Sequence, residues 1–167
     1  GAVETIVNER KENGNYQSIF DLAKRIDLRA ANKRAFESLV YAGGFDSFGH
    51  KRSTYFYDEG NGSIFLEKIL RYGHKFQENL DNIRETAKHI IKNKKEFLFD
   101  AEHFFDGFKS NPQYALDCLK SAYDQGARWL VLCDTNGGTL PHEVEKIISK
   151  VIKAVSYTHL TLPTTSM

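Results

Sequence analysis

The stretch from Phe97 to Pro141 constrains the fold more than any other part of this 167-residue chain. It contains two short apolar runs, each followed by acidic and polar residues and then by a signal that starts a helix. The first run opens the segment FLFDAEHFFDGFKSNP, and the second opens WLVLCDTNGGTLP. Repeated strand–loop–helix units gather their loops at one face of a parallel sheet, where binding and catalysis concentrate. We therefore expect candidate functional residues in these two loops.

The second half of the chain, from Gln77 to Ala154, predicts the order helix–strand–helix–strand–helix. Asn111-Pro112 supplies a cap and a first-turn proline for the helix between the strands, and Gly126 stops that helix. The strand from Trp129 to Cys133 is almost wholly apolar, as expected of a parallel strand buried on both faces. The pattern predicts one parallel βαβ crossover, whose two strands cannot close a barrel by themselves.

The first half of the chain predicts a small helical domain. Gly14 ends a first amphipathic helix, Ser18 caps a second, and Gly43-Gly44 ends a third that starts near Asn32. Ser63 caps a separate fourth helix. Basic residues around the second and third helices form either a solvated face or a surface that contacts phosphates. These residues are Lys24, Arg25, Arg29, Lys33 and Arg34.

Charge and cysteine usage limit the classes of partner. The net charge of +1 gives no general attraction to nucleic acid or membranes, so either partner would need a local patch. No apolar run approaches the ~20 residues of a membrane span, and we expect no membrane partner. Cys118 and Cys133 lack a CxxC pattern and are interpreted as buried free thiols of a cytoplasmic protein. The chain begins at Gly1 and is expected to be a fragment; no pattern indicates an oligomeric state.

Residues 1–76 resemble a known family. NKRAFESLVYAGGFDSFG, with FLEKILRYGHKFQ after it, is similar to the tandem helix-hairpin-helix region of the bacterial replicative DNA polymerase III alpha subunit. The resemblance implies an accessory part that binds duplex DNA, because backbone N–H groups of a glycine hairpin can contact phosphates. That hairpin is expected before Ala2, so Lys33 and Arg34 become the candidate nucleic-acid-binding residues. The catalytic carboxylates of the polymerase belong to other domains.

Residues 78–154 resemble a second, unrelated family. FDAEHFFDGFKSNPQYALDCLKSA and WLVLCDTNGGTLPHEV are similar to citramalate synthase, in the TIM-barrel family that includes 2-isopropylmalate synthase and HMG-CoA lyase-like enzymes. The resemblance implies condensation of acetyl-CoA with a 2-keto acid in branched-chain amino-acid biosynthesis. In such an enzyme a divalent Mg or Mn ion polarises the keto carbonyl, and a base removes a proton from the acetyl methyl group.

The same resemblance assigns roles to two residues. Glu102 becomes the candidate catalytic residue, near the metal and its water, and Thr135 the candidate substrate-binding residue, holding the keto acid's carboxylate. Without the resemblance, Glu102 is interpreted as a solvated acid in a loop and Thr135 as a hydroxyl in a turn. His103 and Asp106 are interpreted as structural or loop residues. The family's Arg-Asp motif and His-x-His pair do not occur, so we expect no metal ligand set, no bound cofactor and no measurable condensation.

The two family patterns meet near Phe76-Gln77-Glu78 without a Pro-, Gly- or Ser-rich linker. The final segment, Val155 to Met167, resembles translated sequencing-adapter read-through, so His159 needs no function. The expected organisation is mixed α/β: a helix-hairpin-helix-like helical fragment over 1–76, a βαβα fragment of a TIM barrel over 77–154, and a non-native tail over 155–167. Three interpretations remain open: a condensing-synthase fragment, the DNA-binding part of a replicative polymerase, and a misassembled reading frame without function.

Overall fold

The computed structural model describes residues 1–58, 60 and 62–155, so the expected tail with His159 lies outside the described residues except for Val155. Seven α-helices occur in this part of the chain: α1 Ala2–Asn13, α2 Ile19–Arg25, α3 Lys33–Tyr41, α4 Phe65–Lys92, α5 Phe104–Ser110, α6 Pro112–Asp124 and α7 Pro141–Ala154. Two 3₁₀ helices, Asp46–Phe48 and Arg52–Phe56, follow α3, and two strands, β1 Leu98–Ala101 and β2 Trp129–Leu132, follow α4 and α6. The chain divides into two compact units, Gly1–Glu78 and Asn79–Met167.

Local capping interactions set the helix ends of the first unit. The Ser18 side chain accepts a hydrogen bond from Asp21 N, and the Asn32 side chain accepts one from Ala35 N. Gly14 has a φ of 83°, which a residue with a side chain rarely adopts, and α1 ends there. The first three predicted helices are confirmed. These helices, the second 3₁₀ helix and α4 share a hydrophobic core, whose largest fully buried side chains include Tyr55, Phe36 and Ile69.

One continuous helix occupies the place of two expected helices. α4 runs without interruption from Phe65 to Lys92, through Phe76-Gln77. Neither glycine nor proline occurs between Lys75 and Lys92, so no residue there stops a helix. Residues 65–78 of α4 belong to the first compact unit and residues 79–92 to the second.

Within the first unit, α4 crosses close to the end of α2. Gly73 is buried, and a Cβ atom added to it would lie 2.5 Å from the Ala23 carbonyl oxygen. Four residues later, Gln77 Nε2 lies 3.1 Å from the carbonyl oxygens of both Ala23 and Lys24 and 2.8 Å from that of Ile26. The carbonyls in the last turn of a helix have no partner within the helix, and Gln77 supplies one for α2.

The second unit contains the predicted parallel strand pair. β1 and β2 pair in register from Leu98 opposite Trp129 to Ala101 opposite Leu132. The crossover between them contains an additional helix, α5, in a stretch that we expected to be loop. Its three phenylalanines, Phe104, Phe105 and Phe108, are buried. They share one side of a helical turn, and this burial favours a helix over a loop.

The expectation that β2 is buried on both faces is wrong. All four β2 residues are half-buried, and β1 alternates between exposed and half-buried residues. Phe99 and Leu130 pack against the helices, whereas Leu98 is 53% exposed. Within residues 1–58, 60 and 62–155 the sheet has two strands, and a parallel strand is fully buried only with layers on both faces and neighbours at both edges.

In the described part of the chain, none of the helices combines the length and apolar character needed to cross a membrane.

Candidate functional site

The parallel register places the two predicted loops side by side. Ala101 and Leu132 pair at the ends of β1 and β2, so Glu102 and Cys133 are the next residues on each strand. Cys133 N donates to Ala101 O at 3.2 Å, and Phe104 N donates to Cys133 O at 3.0 Å. These backbone hydrogen bonds continue beyond the strands and fix the start of both loops.

The two candidate synthase residues are in direct contact. Thr135 Oγ1 donates to Glu102 Oε2 at 2.6 Å, across 33 positions of sequence, and accepts a hydrogen bond from His103 N at 2.9 Å. His103 has a φ of 54°, an uncommon backbone conformation for a residue with a side chain. The bond from its N–H to Thr135 helps to hold this turn. Glu102 and Thr135 are both exposed, so a solute can reach them.

Neighbouring polar residues stabilise the two loops. Asn136 Nδ2 donates to Asp106 Oδ2 at 2.7 Å and so joins the second loop to α5. The Asp134 carboxylate accepts from Thr139 N at 3.0 Å and from Thr139 Oγ1 at 2.9 Å. Asp106, in α5, and Asp134, in the second loop, therefore hold the second loop in place. His103 lies beside Asp106, with 3.8 Å between Nδ1 and Oδ2.

A cluster that sequence reasoning missed lies at the same strand ends. Asp100, Glu102 and Cys133 each offer one ligand atom, and these atoms all lie within 4.8 Å of one another. The signal was present: Asp100 and Glu102 are two residues apart on one strand, and residues at that spacing share a face. Cys133 comes opposite them only through the parallel register, which a search for ligand spacing along the chain does not reveal.

Cys133 is held as a thiol. Its Sγ donates to Asp100 Oδ1 at 2.7 Å. This hydrogen bond, followed by partial burial and by the negative charges of Asp100 and Glu102, raises the pKa of Cys133 to about 11. Burial raises the pKa of the second thiol, Cys118, as well. Both cysteines are free, as expected, but half-buried where we expected buried thiols.

The cluster does not fit the divalent ion that the synthase resemblance implies. Mg²⁺ and Mn²⁺ prefer shells made of oxygen ligands. The cluster offers two carboxylates and a thiol, and only a thiolate ligates a metal effectively. Among the described residues no fourth His, Cys, Asp or Glu joins this group, so the cluster offers two carboxylates and a sulfur that these ions do not select.

The protonated state of Cys133 gives a testable pH dependence. In a Cys118→Ser background, we expect iodoacetamide alkylation of Cys133 to rise with a midpoint near pH 11. The negative charge of Asp100 favours the protonated thiol, and Asp100→Asn removes that charge. We therefore expect the midpoint to fall by about one pH unit, which gives about tenfold more thiolate at a given pH. Mass spectrometry of the alkylated peptide measures this. Asp106→Asn, in the same loop region, is the matched control, and an unchanged midpoint in Asp100→Asn contradicts the prediction.

The candidate nucleic-acid-binding residues differ in their surroundings. Lys33 Nζ lies 2.6 Å from Glu67 Oε1 and 3.9 Å from Glu37 Oε1. The hydrogen bond to Glu67 raises the pKa of Lys33 and lowers that of Glu67. Arg34 is exposed and, among the described residues, has no ion pair. Arg34 is therefore more available than Lys33 to a phosphate.

Comparisons with known proteins find similarity to two different enzymes. A family model described as helix-hairpin-helix motif matches residues 1–55. DNA polymerase III subunit alpha of Staphylococcus epidermidis is 43% identical over 53 residues, covering 32% of this chain and 5% of the polymerase. The Haemophilus influenzae subunit is 31% identical over 114 residues, which cover 59% of this chain and 10% of that subunit. (R)-citramalate synthase of Aquifex aeolicus is 59% identical over 75 residues, which cover 45% of this chain and 14% of the synthase.

Both predicted family resemblances are confirmed by these matches. The chain spans only 5% to 14% of the length of these three relatives. Similarity to two different enzymes within one chain is consistent with a chimeric origin. No solved structure matches the chain.

Proposed function

We propose that residues 77–154 are a βαβα fragment of a TIM-barrel synthase of the citramalate and 2-isopropylmalate type, with Glu102 as its catalytic carboxylate and Thr135 as its keto-acid-binding hydroxyl. The observation that carries this proposal is the 2.6 Å hydrogen bond between Thr135 and Glu102 at the ends of two adjacent parallel strands. Barrel enzymes place their catalytic residues at that end of the strands. The identity of 59% to a citramalate synthase supports the same assignment.

We further propose that the chain binds a 2-keto acid weakly and does not condense it with acetyl-CoA. A hydroxyl has one proton to donate, and Thr135 donates it to Glu102. A substrate carboxylate must compete for that proton and approaches a second carboxylate as it does so. In the parent family a divalent ion polarises the keto carbonyl, and the Asp100, Glu102 and Cys133 cluster does not fit such an ion.

Pyruvate titration followed by amide NMR tests the binding step. We expect shifts confined to residues 100–106 and 133–137, with an affinity of about millimolar or weaker, because few groups contact the ligand. Thr135→Val keeps the side-chain shape and removes the hydroxyl, so the shifts should disappear. Thr86→Val, an exposed threonine of α4, is the matched control. Equal shifts in Thr135→Val, or none in the parent chain, contradict the proposal.

Turnover is measured separately. Purified chain is incubated with pyruvate, acetyl-CoA and Mg²⁺ or Mn²⁺, and mass spectrometry detects the condensation product. We expect none above a protein-free sample. Product formation that Glu102→Gln abolishes contradicts the proposed inactivity while it supports the assignment of Glu102.

Duplex DNA binding by the first unit is the second candidate function. The exposed, unpaired Arg34 within a segment that matches the helix-hairpin-helix motif favours it. A Lys33→Ala, Arg34→Ala double variant is expected to bind all duplex sequences less tightly, and the slope of log affinity against log salt should become shallower by about one for each phosphate that is no longer bound. Because Glu67 holds Lys33, most of the loss should appear in Arg34→Ala alone. Fluorescence anisotropy measures both effects. Arg10→Ala, at an exposed arginine of α1 outside the basic group, is the control, and unchanged affinity in the double variant excludes this role.

A misassembled reading frame without function remains the third candidate. Two family patterns joined without a linker, and the adapter-like segment from Val155 to Met167, favour it. A continuous genomic read across codons 70 to 85 distinguishes this origin from a gene fusion. A cytoplasmic location is proposed on the basis of the two free thiols.

A further inference from the structure

An aromatic pair lies on the surface of the first unit. Tyr41, the last residue of α3, is 68% exposed. Its ring stacks on that of Phe56, with 4.9 Å between centroids and 16° between planes. Phe56 is half-buried and packs against the core of the unit. One face of the Tyr41 ring is therefore covered by Phe56, and the high exposure of Tyr41 leaves the other face open to solvent.

The backbone beneath this ring is anchored. Arg52 Nη1 donates to Tyr41 O at 3.1 Å, and Arg52 Nε donates to Asp46 Oδ1 at 2.9 Å. Gly43, with a φ of 79°, leaves space for the guanidinium, because a Cβ atom at this position would overlap it. A planar ligand would thus meet a ring whose backbone and inner face are already fixed, and little conformational entropy would be lost on stacking.

The unpaired charge beside the ring is positive. Arg34 lies seven residues before Tyr41 in α3, a spacing that places both on one side of the helix about 10 Å apart along its axis. Ser38, between them on that side, is small and exposed. Lys51 immediately precedes the 3₁₀ helix that contains Phe56. Among the described residues, neither Arg34 nor Lys51 has an ion pair.

Two nearby acids each lie close to a cation. Asp46 pairs with Arg52, and Glu37 lies 3.9 Å from Lys33, which also pairs with Glu67. A partner on this surface therefore meets an aromatic face together with Arg34 and Lys51. A flat, uncharged group joined to an anion matches that combination.

We propose that the Tyr41–Phe56 pair is a stacking platform for an unpaired base of single-stranded nucleic acid, with Arg34 contacting an adjacent phosphate. Every base has a π face, so this contact needs no sequence. A base inside a duplex has both faces covered by its neighbours and cannot use the ring. The inference deepens the nucleic-acid candidate above and shares Arg34 with it, but the role of Tyr41 is independent of duplex binding.

The test uses the full chain and three labelled probes in fluorescence anisotropy: a twelve-nucleotide oligo(dT), an abasic oligomer with the same number of phosphates, and a blunt duplex. We expect oligo(dT) to bind more tightly than the abasic oligomer. Tyr41→Ala should weaken oligo(dT) binding by roughly fivefold to a hundredfold, the effect of losing one stacked base. Tyr41→Trp should retain it. Abasic and duplex binding should not change in Tyr41→Ala.

Tyr57→Ala is the matched control, because Tyr57 is 64% exposed and follows Phe56 directly. Equal losses in Tyr41→Ala and Tyr57→Ala, or equal affinities for oligo(dT) and the abasic oligomer, overturn the platform. Duplex binding that depends on Arg34 but not on Tyr41, with no oligo(dT) preference, also overturns it while leaving the duplex candidate intact. Thermal unfolding of each variant verifies that the exposed substitutions leave the fold unchanged.

Discussion

Gly73→Ala is expected to destabilise the first compact unit by about 2 to 3 kcal/mol, a large effect for the addition of one methyl group. The new Cβ would lie 2.5 Å from the Ala23 carbonyl oxygen and 3.0 Å from Leu28 Cδ1. Contact with a backbone atom cannot be relieved by a side-chain rotation, so α4 must move away from α2. That movement also disturbs the hydrogen bonds from Gln77 to the end of α2. The cost exceeds the helix propensity gained by alanine, about 1 kcal/mol.

The matched control is the same substitution in another helix. Gly107 lies within α5, and an added Cβ there meets no atom within 4 Å. Gly107→Ala should therefore stabilise its own unit, by up to about 1 kcal/mol. Amide hydrogen exchange at buried positions of each unit measures both effects in the full chain. If Gly73→Ala leaves exchange at Ile69 and Leu22 unchanged, the close crossing of α2 and α4 is wrong.

Leu119→Ala is expected to cost the second unit about 3 kcal/mol. Leu119 is fully buried in α6 and belongs to the cluster that contains Phe105 and Val151. Removing three carbons there leaves a cavity between helices that pack on a sheet of two strands. The core is small, so this loss is a large fraction of its stability.

Urea unfolding followed by tryptophan fluorescence measures the effect. Trp129 is the only tryptophan of the chain and lies in β2, so its signal reports the second unit. Ile152→Ala is the control. The Ile152 side chain in α7 is 51% exposed, so this substitution should lower the free energy of unfolding by less than about 1 kcal/mol. Equal midpoints for the two variants would show that Leu119 is not a core residue.

Helix boundaries were predictable where short-range chemistry decides them. Ser18 and Asn32 bond to the backbone three residues on, and Asn111 does the same for Tyr114 N at the start of α6. These contacts lie within one turn, so the residues that make them are visible side by side in the sequence. The parallel pairing of the strands was also predictable, because a helical crossover between two apolar runs leaves few other arrangements.

Two predicted boundaries were wrong, one because of burial and one because of helix continuity. α5 formed in a stretch with acidic and polar residues because its three phenylalanines pack together with α6 and α7. α4 continued through the position where two family patterns meet, because no residue there stops a helix. Residue types alone predicted a loop where α5 forms and two separate helices where α4 is continuous.

The candidate site divides in the same way. The sequence predicts roles for Glu102 and Thr135, and they meet because they lie one and three residues past Ala101 and Leu132, which pair at the ends of the two strands. The bond from Cys133 to Asp100 was not predicted, although the same register creates it. This hydrogen bond forms because the two side chains lie on one face of neighbouring strands. The spacing of residues along a single strand does not predict such a contact.

By itself, the amino-acid sequence determined the helix caps, the parallel strand order and the similarity to two enzyme families, since each depends on neighbouring residues or on ordered motifs. Only the tertiary structure decided which residues meet across long separations: Gly73 at Ala23, Tyr41 over Phe56 and Cys133 at Asp100. Such contacts depend on how whole elements pack against one another. Their energies come from close approach and exclusion of water, which no local pattern in the chain specifies.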